Sequence, residues 1–149
     1  MLLASALCSA CQEQIIYYSF QSIPLEGWLK SDTVYFEVEV ADSQTQVCLN
    51  LDIRHRNTYP FQNILLQLSQ ESPEGKVRYT DTLNLRLANP QGMWTGKGWG
   101  GLYQSPFRLH NMMIEKAGTY RFRVYQLMPT DTLPGLNDIG LRLEKAPLH

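Results

Sequence analysis

The chain has 149 residues, 44% of them hydrophobic, with thirteen Lys and Arg against fourteen Asp and Glu for a formal net charge of -1. That length buries one good core and not two, so a single domain is expected. With no basic stripe and no run of like charge, the electrostatic footprint of a nucleic-acid binder is missing.

Met1 to Cys11 is a run of apolar and small residues without charge, and the composition changes at Gln12-Glu13-Gln14. The run is too short to span a bilayer, which takes about 20 apolar residues. Ser9-Ala10-Cys11, small residues ahead of a cysteine, resembles the end of a bacterial lipoprotein signal, in which the cysteine becomes the acylated N-terminus. The expected organisation is a signal remnant over residues 1–10 and one domain over residues 11–149, anchored through Cys11. If Cys8 leaves with the signal and Cys11 carries lipid, Cys48 is the remaining thiol, and no disulfide is expected within the domain.

Ile15–Gln21, rich in aromatic and β-branched residues, reads as an opening strand, and Ile23–Trp28 as a turn whose Trp28 closes the end of a sandwich. From Thr33 the chain alternates, with Val34, Phe36, Val38 and Val40 on one face and Tyr35, Glu37 and Glu39 on the other. Gln46–His55 resumes the period with Val47, Leu49, Leu51 and Ile53 inward, so the two runs are expected to form a hairpin across Asp42-Ser43-Gln44. Phe61–Gln70 places Ile64, Leu66 and Leu68 on one side. Ser72-Pro73-Glu74-Gly75 is a turn signal, and Lys76–Ala88 follows with Val77, Tyr79, Leu83, Leu85 and Leu87 in phase. Asp81 falls on that same face, which predicts a bulge or a sheet switch near Asp81-Thr82 rather than a buried unpaired carboxylate.

Asn89–Gly101 interrupts the alternation with five glycines, a proline and two tryptophans, and cannot be a regular strand through its length. Tyr103–Ile114 mixes strand and irregular character around Pro106; Tyr120, Phe122 and Val124 mark another strand; Met128–Leu136 is a loop; Ile139, Leu141 and Leu143 mark the last strand. No apolar stripe of helical period appears. Seven to nine strands separated by turn signals predict an all-β fold, a single antiparallel β-sandwich of jelly-roll type.

For chemistry, the three histidines His55, His110 and His149 have no local metal-ligand spacing, no nucleophile elbow or phosphate loop occurs, and no cofactor is expected. Glu37 and Glu39 are two apart on one strand face, a solvated pair rather than a catalytic one, with Asp81 the other carboxylate a small hydrolase would need. Cys48 has no adjacent cation to activate it and reads as covered by a neighbouring segment. Trp94, Trp99 and Tyr103 are the candidate binding residues, since flat rings offer large contact area at low entropy cost; the competing use is to pin the long connector onto the sandwich.

Three features coincide: Ser9-Ala10-Cys11, the segment Tyr18–Thr33 (Tyr-Ser-Phe-Gln-Ser-Ile-Pro-Leu-Glu-Gly-Trp-Leu-Lys-Ser-Asp-Thr) and the block Ala88–Gly100 (Ala-Asn-Pro-Gln-Gly-Met-Trp-Thr-Gly-Lys-Gly-Trp-Gly). Together they resemble the gliding motility lipoprotein GldH family of Bacteroidota. The likeness continues through Asn57–Asn63, Gly118–Phe122 and Leu136–Lys145. It implies an exported, non-enzymatic, lipid-anchored protein of the cell envelope, facing the periplasm. Its implied partners are the membrane and the envelope proteins of the motility apparatus and the linked secretion system. Cys11 is the one functional residue it carries over. The alternative is a carbohydrate- or peptide-binding envelope module using Trp94 and Trp99.

Overall fold

The computed structural model describes residues 14–146, which form eleven strands and no helix. The strands are β1 (Ile15–Ser22), β2 (Trp28–Leu29), β3 (Val34–Val40), β4 (Thr45–Arg56), β5 (Asn63–Glu71), β6 (Val77–Arg86), β7 (Lys97–Trp99), β8 (Leu102–Ile114), β9 (Gly118–Gln126), β10 (Thr132–Leu133) and β11 (Leu136–Lys145). One sheet runs β1-β11-β4-β8-β7 and the other β3-β9-β5-β6, all antiparallel, with β2 and β10 as a small separate pair. Setting aside the short strands, four strands from each sheet follow the order of a double Greek key, so the sandwich is a jelly roll.

The inward phases read from the sequence meet in one core. Val47, Leu49, Leu51 and Ile53 of β4 face Phe36 and Val38 of β3, Leu66 and Leu68 of β5, and Phe122 and Val124 of β9, all buried. Fully burying each such side chain is worth about 1.5–3 kcal/mol. Trp28 closes one end as expected: its ring is buried and its indole N–H donates to the Asp32 carbonyl at 2.8 Å.

Three expectations need correcting. β3 and β4 are not a hairpin: β3 pairs with β9 in one sheet, while β4 lies between β11 and β8 in the other. Alternation says which face of a strand is apolar, and two such faces satisfy each other across a core as well as side by side. Gln44, with φ +56°, turns the chain from one layer to the other. Neither a bulge nor a sheet switch occurs at Asp81-Thr82, since β6 stays paired with β5 in one sheet. Asp81 sits in unbroken register opposite Leu68, and the irregularity lies between Gln70 and Glu71, where Tyr79 and Val77 are their partners. Asp81 keeps the inward phase but is exposed on an edge strand, accepting from the Tyr79 hydroxyl at 2.9 Å. Finally, Leu102–Ile114 is one thirteen-residue strand. It accommodates Pro106 because β7 pairs only with Leu102–Gln104, so beyond that point one edge of β8 is free and needs no N–H at the proline.

β4 is covered on both faces. The outward-phase residues Cys48, Asn50 and Asp52 are buried, Cys48 at 2% exposure. Their cover comes from longer side chains on β1 and β11. The Tyr18 hydroxyl donates to Asp52 at 2.5 Å, Arg142 pairs with Glu144 at 2.9 Å, and Phe20 lies over Gly140, where a Cβ would come within 2.6 Å of its ring.

Candidate functional site

The two poles of the sandwich differ in their connections. At the pole where β1 begins, the turns are short: residues 41–44, 72–76 and 115–117. At the opposite pole lie every long connection and the glycine-rich stretch: residues 23–33, 57–62, 87–101 and 127–135. The three most exposed large apolar side chains among the described residues, Trp99, Leu25 and Met93, belong to this loop-rich pole.

Beneath these loops an aromatic cluster is built around His55, the last inward position of β4. Its ring stacks on Tyr103 (centroids 5.6 Å apart, planes at 16°), meets Trp94 edge-on at 4.5 Å and lies 5.7 Å from Tyr59. The Tyr59 hydroxyl donates to the Asn63 carbonyl at 2.7 Å, and burial pushes its pKa well up. His55 Nδ1 lies 3.0 Å from the Arg56 carbonyl, which can only accept, so the proton sits on Nδ1. Nε2 is then a lone-pair acceptor, buried and without a hydrogen-bond partner among the described residues. Loss of solvent lowers the imidazole pKa.

Trp94 is held there by the backbone. Ala88 and Trp94 form an isolated antiparallel bridge, the Thr95 N–H donates to the Leu87 carbonyl at 3.0 Å, and the Asn89 side-chain oxygen accepts from the N–H groups of Gln91 and Met93 at 3.0 and 2.9 Å. The asparagine closes the loop on itself and turns the indole onto the core.

Five residues on, the geometry reverses. Gly100 and Gly101, at φ +61° and +81°, make the tight two-residue turn that joins β7 to β8, a conformation that favours glycine at both positions. Tyr103 lies across Gly98, where a Cβ would sit 2.3 Å from its ring, and fills the face that a side chain there would occupy. Trp99 is carried outward on this hairpin at 91% exposure. It borders a cleft of about 300 Å³ with Arg54, Lys97, Leu102 and Gln104. Arg54 is fixed in place: its guanidinium lies 3.7 Å above Phe20, it donates to Gln104 Oε1 at 3.0 Å, and Asp138 is 3.6 Å away. Lys97 makes no ion pair among the described residues.

The candidate residues therefore divide. Trp94 and Tyr103 meet in the His55 cluster, Trp99 points to solvent, and Cys11 lies outside the described residues. The carboxylates do not converge. Glu37 is paired with Arg121 at 3.0 Å on one edge of the four-stranded sheet, and Asp81 is on the other edge, three strand spacings or at least about 14 Å away. Among the described residues no three His, Cys, Asp or Glu side chains are grouped to hold a metal ion. Sequence reading weighed His55 only as a metal ligand and missed it as the centre of the cluster. Its inward phase on β4 was the available signal. The seating of Arg54 on Phe20 had none, because the two strands are joined only through β11.

Several solved structures align loosely. These include the infectious bursal disease virus VP2 subviral particle (TM-score 0.43, 11% identity, 89% of this chain and 31% of that chain). Another is a family 35 carbohydrate binding module from Clostridium thermocellum (TM-score 0.39, 9% identity, 87% and 95%). At these scores the likeness carries no argument. Sequence relatives are much nearer. The gliding motility lipoprotein GldH homolog of Christiangramia forsetii is 31% identical over 94% of this chain and 90% of its own length. The gliding motility lipoprotein GldH of Flavobacterium johnsoniae is 28% identical over 97% and 94%. The family model for the GldH lipoprotein matches residues 15–143, the whole sandwich from the first strand into the last, and the chain belongs to that family.

Proposed function

We propose that this protein is a lipid-anchored, non-enzymatic accessory component of the gliding machinery and of the protein secretion system linked to it, fastened through acylated Cys11 and facing the periplasm. The observation that carries this reading is the family match across the entire sandwich, together with two relatives, aligned over nearly their full lengths, that bear the name gliding motility lipoprotein. The tether is short. Two residues, Gln12 and Glu13, separate Cys11 from Gln14, so three peptide steps of at most about 11 Å join the lipid-bearing residue to the start of the sandwich. Stable anchoring takes more than one acyl chain, which a multiply acylated N-terminal cysteine provides, and confinement to a surface raises the effective concentration of partners there.

Palmitate labelling of cells with and without Cys11→Ala, and mass spectrometry of the N-terminal peptide, test the anchor. Deleting the gene tests the role: surface spreading and protein export should both fail, and normal behaviour in both would remove the motility reading.

A second reading, a carbohydrate- or peptide-binding module using Trp94 and Trp99, is favoured by one observation, the 91% exposure of Trp99. The contacts of Trp94 with His55 and Tyr59 leave Trp99 as the ring available to a ligand.

A further inference from the structure

Among the described residues, the β7–β8 hairpin combines three properties. It carries the most exposed large apolar side chain, Trp99, beside an unpaired cation, Lys97, and a second cation, Arg54, whose position is set by Phe20 and Gln104. β7 is also the edge strand of the five-stranded sheet, with one side of its backbone unpaired. An exposed indole over a cleft accepts an apolar side chain, the unpaired Lys97 selects negative charge while Arg54, its own charge met by Asp138 at 3.6 Å, forms the cleft wall, and a free strand edge offers main-chain hydrogen bonds to an extended chain.

These features together distinguish among possible occupants. A neutral sugar would need free polar side chains around the ring, yet Arg54 and Gln104 already satisfy each other at 3.0 Å. A sugar also has no use for an open strand edge. The host membrane is on the other side: β1 runs from Gln14 toward this pole, and its eight residues cover about 25 Å. The pole opposite the start of β1 is where a second envelope protein can reach.

We infer that the β7–β8 hairpin, with Trp99 as anchor and Lys97 as charge selector, is a docking site for an acidic, extended polypeptide segment of a partner protein. The membrane-distal orientation rests on the Cys11 anchor proposed above; the chemistry of the docking site does not.

The test uses full-length protein in detergent and three fluorescein-labelled probes followed by anisotropy: an eight-residue peptide alternating glutamate with leucine, the same peptide with lysine for glutamate, and a neutral hexasaccharide. The acidic peptide should bind at least tenfold more tightly than either other probe, and its affinity should fall as salt rises. Trp99→Ala and Lys97→Glu should each weaken it about tenfold, while Met113→Ala near the other pole leaves it unchanged. Absence of binding, equal binding of the lysine peptide, preference for the sugar, or indifference to Trp99→Ala would each overturn the assignment. Urea unfolding of Trp99→Ala checks that the variant keeps its fold. Palmitate labelling of the same preparations keeps the two readings apart: unlabelled protein that binds the acidic peptide defeats the anchor alone, and labelled protein that ignores it defeats the docking site alone.

Discussion

Trp94 and Trp99 lie five residues apart on one glycine-rich connector and have opposite environments. Trp94 is packed against His55, Tyr59 and Tyr103, while Trp99 stands in solvent at the tip of the β7–β8 hairpin. Composition does not separate them, since each is flanked by glycine within two residues. The backbone does. The loop that Asn89 closes directs one ring inward, and the Gly100-Gly101 turn fixes the face of a strand on which the other ring emerges. One connector thus supplies both a structural anchor and a presented surface, and a change at either ring should reveal which is which.

The largest effect should come from breaking this contrast directly. Trp94→Ala removes a partly buried ring from the aromatic cluster and should destabilise the fold by about 2–4 kcal/mol, toward the lower part of the range for aromatic truncation because the ring is not fully enclosed. Trp99→Ala removes a ring that touches little and should change stability by no more than about 0.5 kcal/mol. Urea unfolding of the two variants gives the comparison. Equal losses would mean that both rings pin the connector.

Much of the fold was legible before the structure because inward faces announce themselves. The Val34–Val40 and Val47–Ile53 phases and the Ser72–Gly75 turn all stand where alternation and turn chemistry put them. What alternation cannot encode is which strand lies beside which. β3 and β4 are consecutive, similarly patterned and joined by a few polar residues, yet occupy different sheets, because a jelly roll sends most of its connections across the core. The same limit hid the candidate site. Arg54, Gln104 and Lys97 are neighbours only through the β4-β8-β7 pairing, and Phe20 reaches Arg54 from β1 across β11. The burial of Asn50 and Asp52 on the outward phase was hidden for a related reason: a local pattern carries no information about a long side chain arriving from the next strand, as Tyr18 does at Asp52.

The cluster side of the comparison should also be sensitive to acid. The folded pKa of His55 is lowered by desolvation, while in the unfolded chain it is near 6.5. Below about pH 6.5 the unfolded state therefore binds a proton that the folded state refuses. Stability should fall as pH drops through that window, by at most about 1.4 kcal/mol per pH unit, and level off once pH passes below the folded pKa. His55→Phe, which keeps a ring in the cluster and cannot take the proton, should lose this portion of the acid sensitivity. Denaturant midpoints of both proteins at pH 7.5, 6.0 and 5.0 measure it. Parallel curves would show that the charge on His55 is accommodated, and that the cluster is wetter than its packing indicates.

The smallest effect concerns the turn that presents Trp99. A Cβ at Gly100 meets nothing within 4 Å, so Gly100→Ala isolates the cost of the left-handed backbone from any steric clash. At φ +61° that cost is about 1 kcal/mol for alanine, and less for asparagine, which tolerates this conformation better. Gly100→Asn should therefore lie between wild type and Gly100→Ala in urea midpoint. Acrylamide quenching supplies the paired readout. In wild type one indole of three should be freely quenched, with Trp28 shielded by burial and Trp94 by the cluster. If Gly100→Ala frays the hairpin without disturbing the connector, Trp99 stays quenchable and Trp94 stays shielded. Simultaneous exposure of Trp94 would mean that the turn also helps hold the inward ring in place, joining the two halves of the connector into one unit.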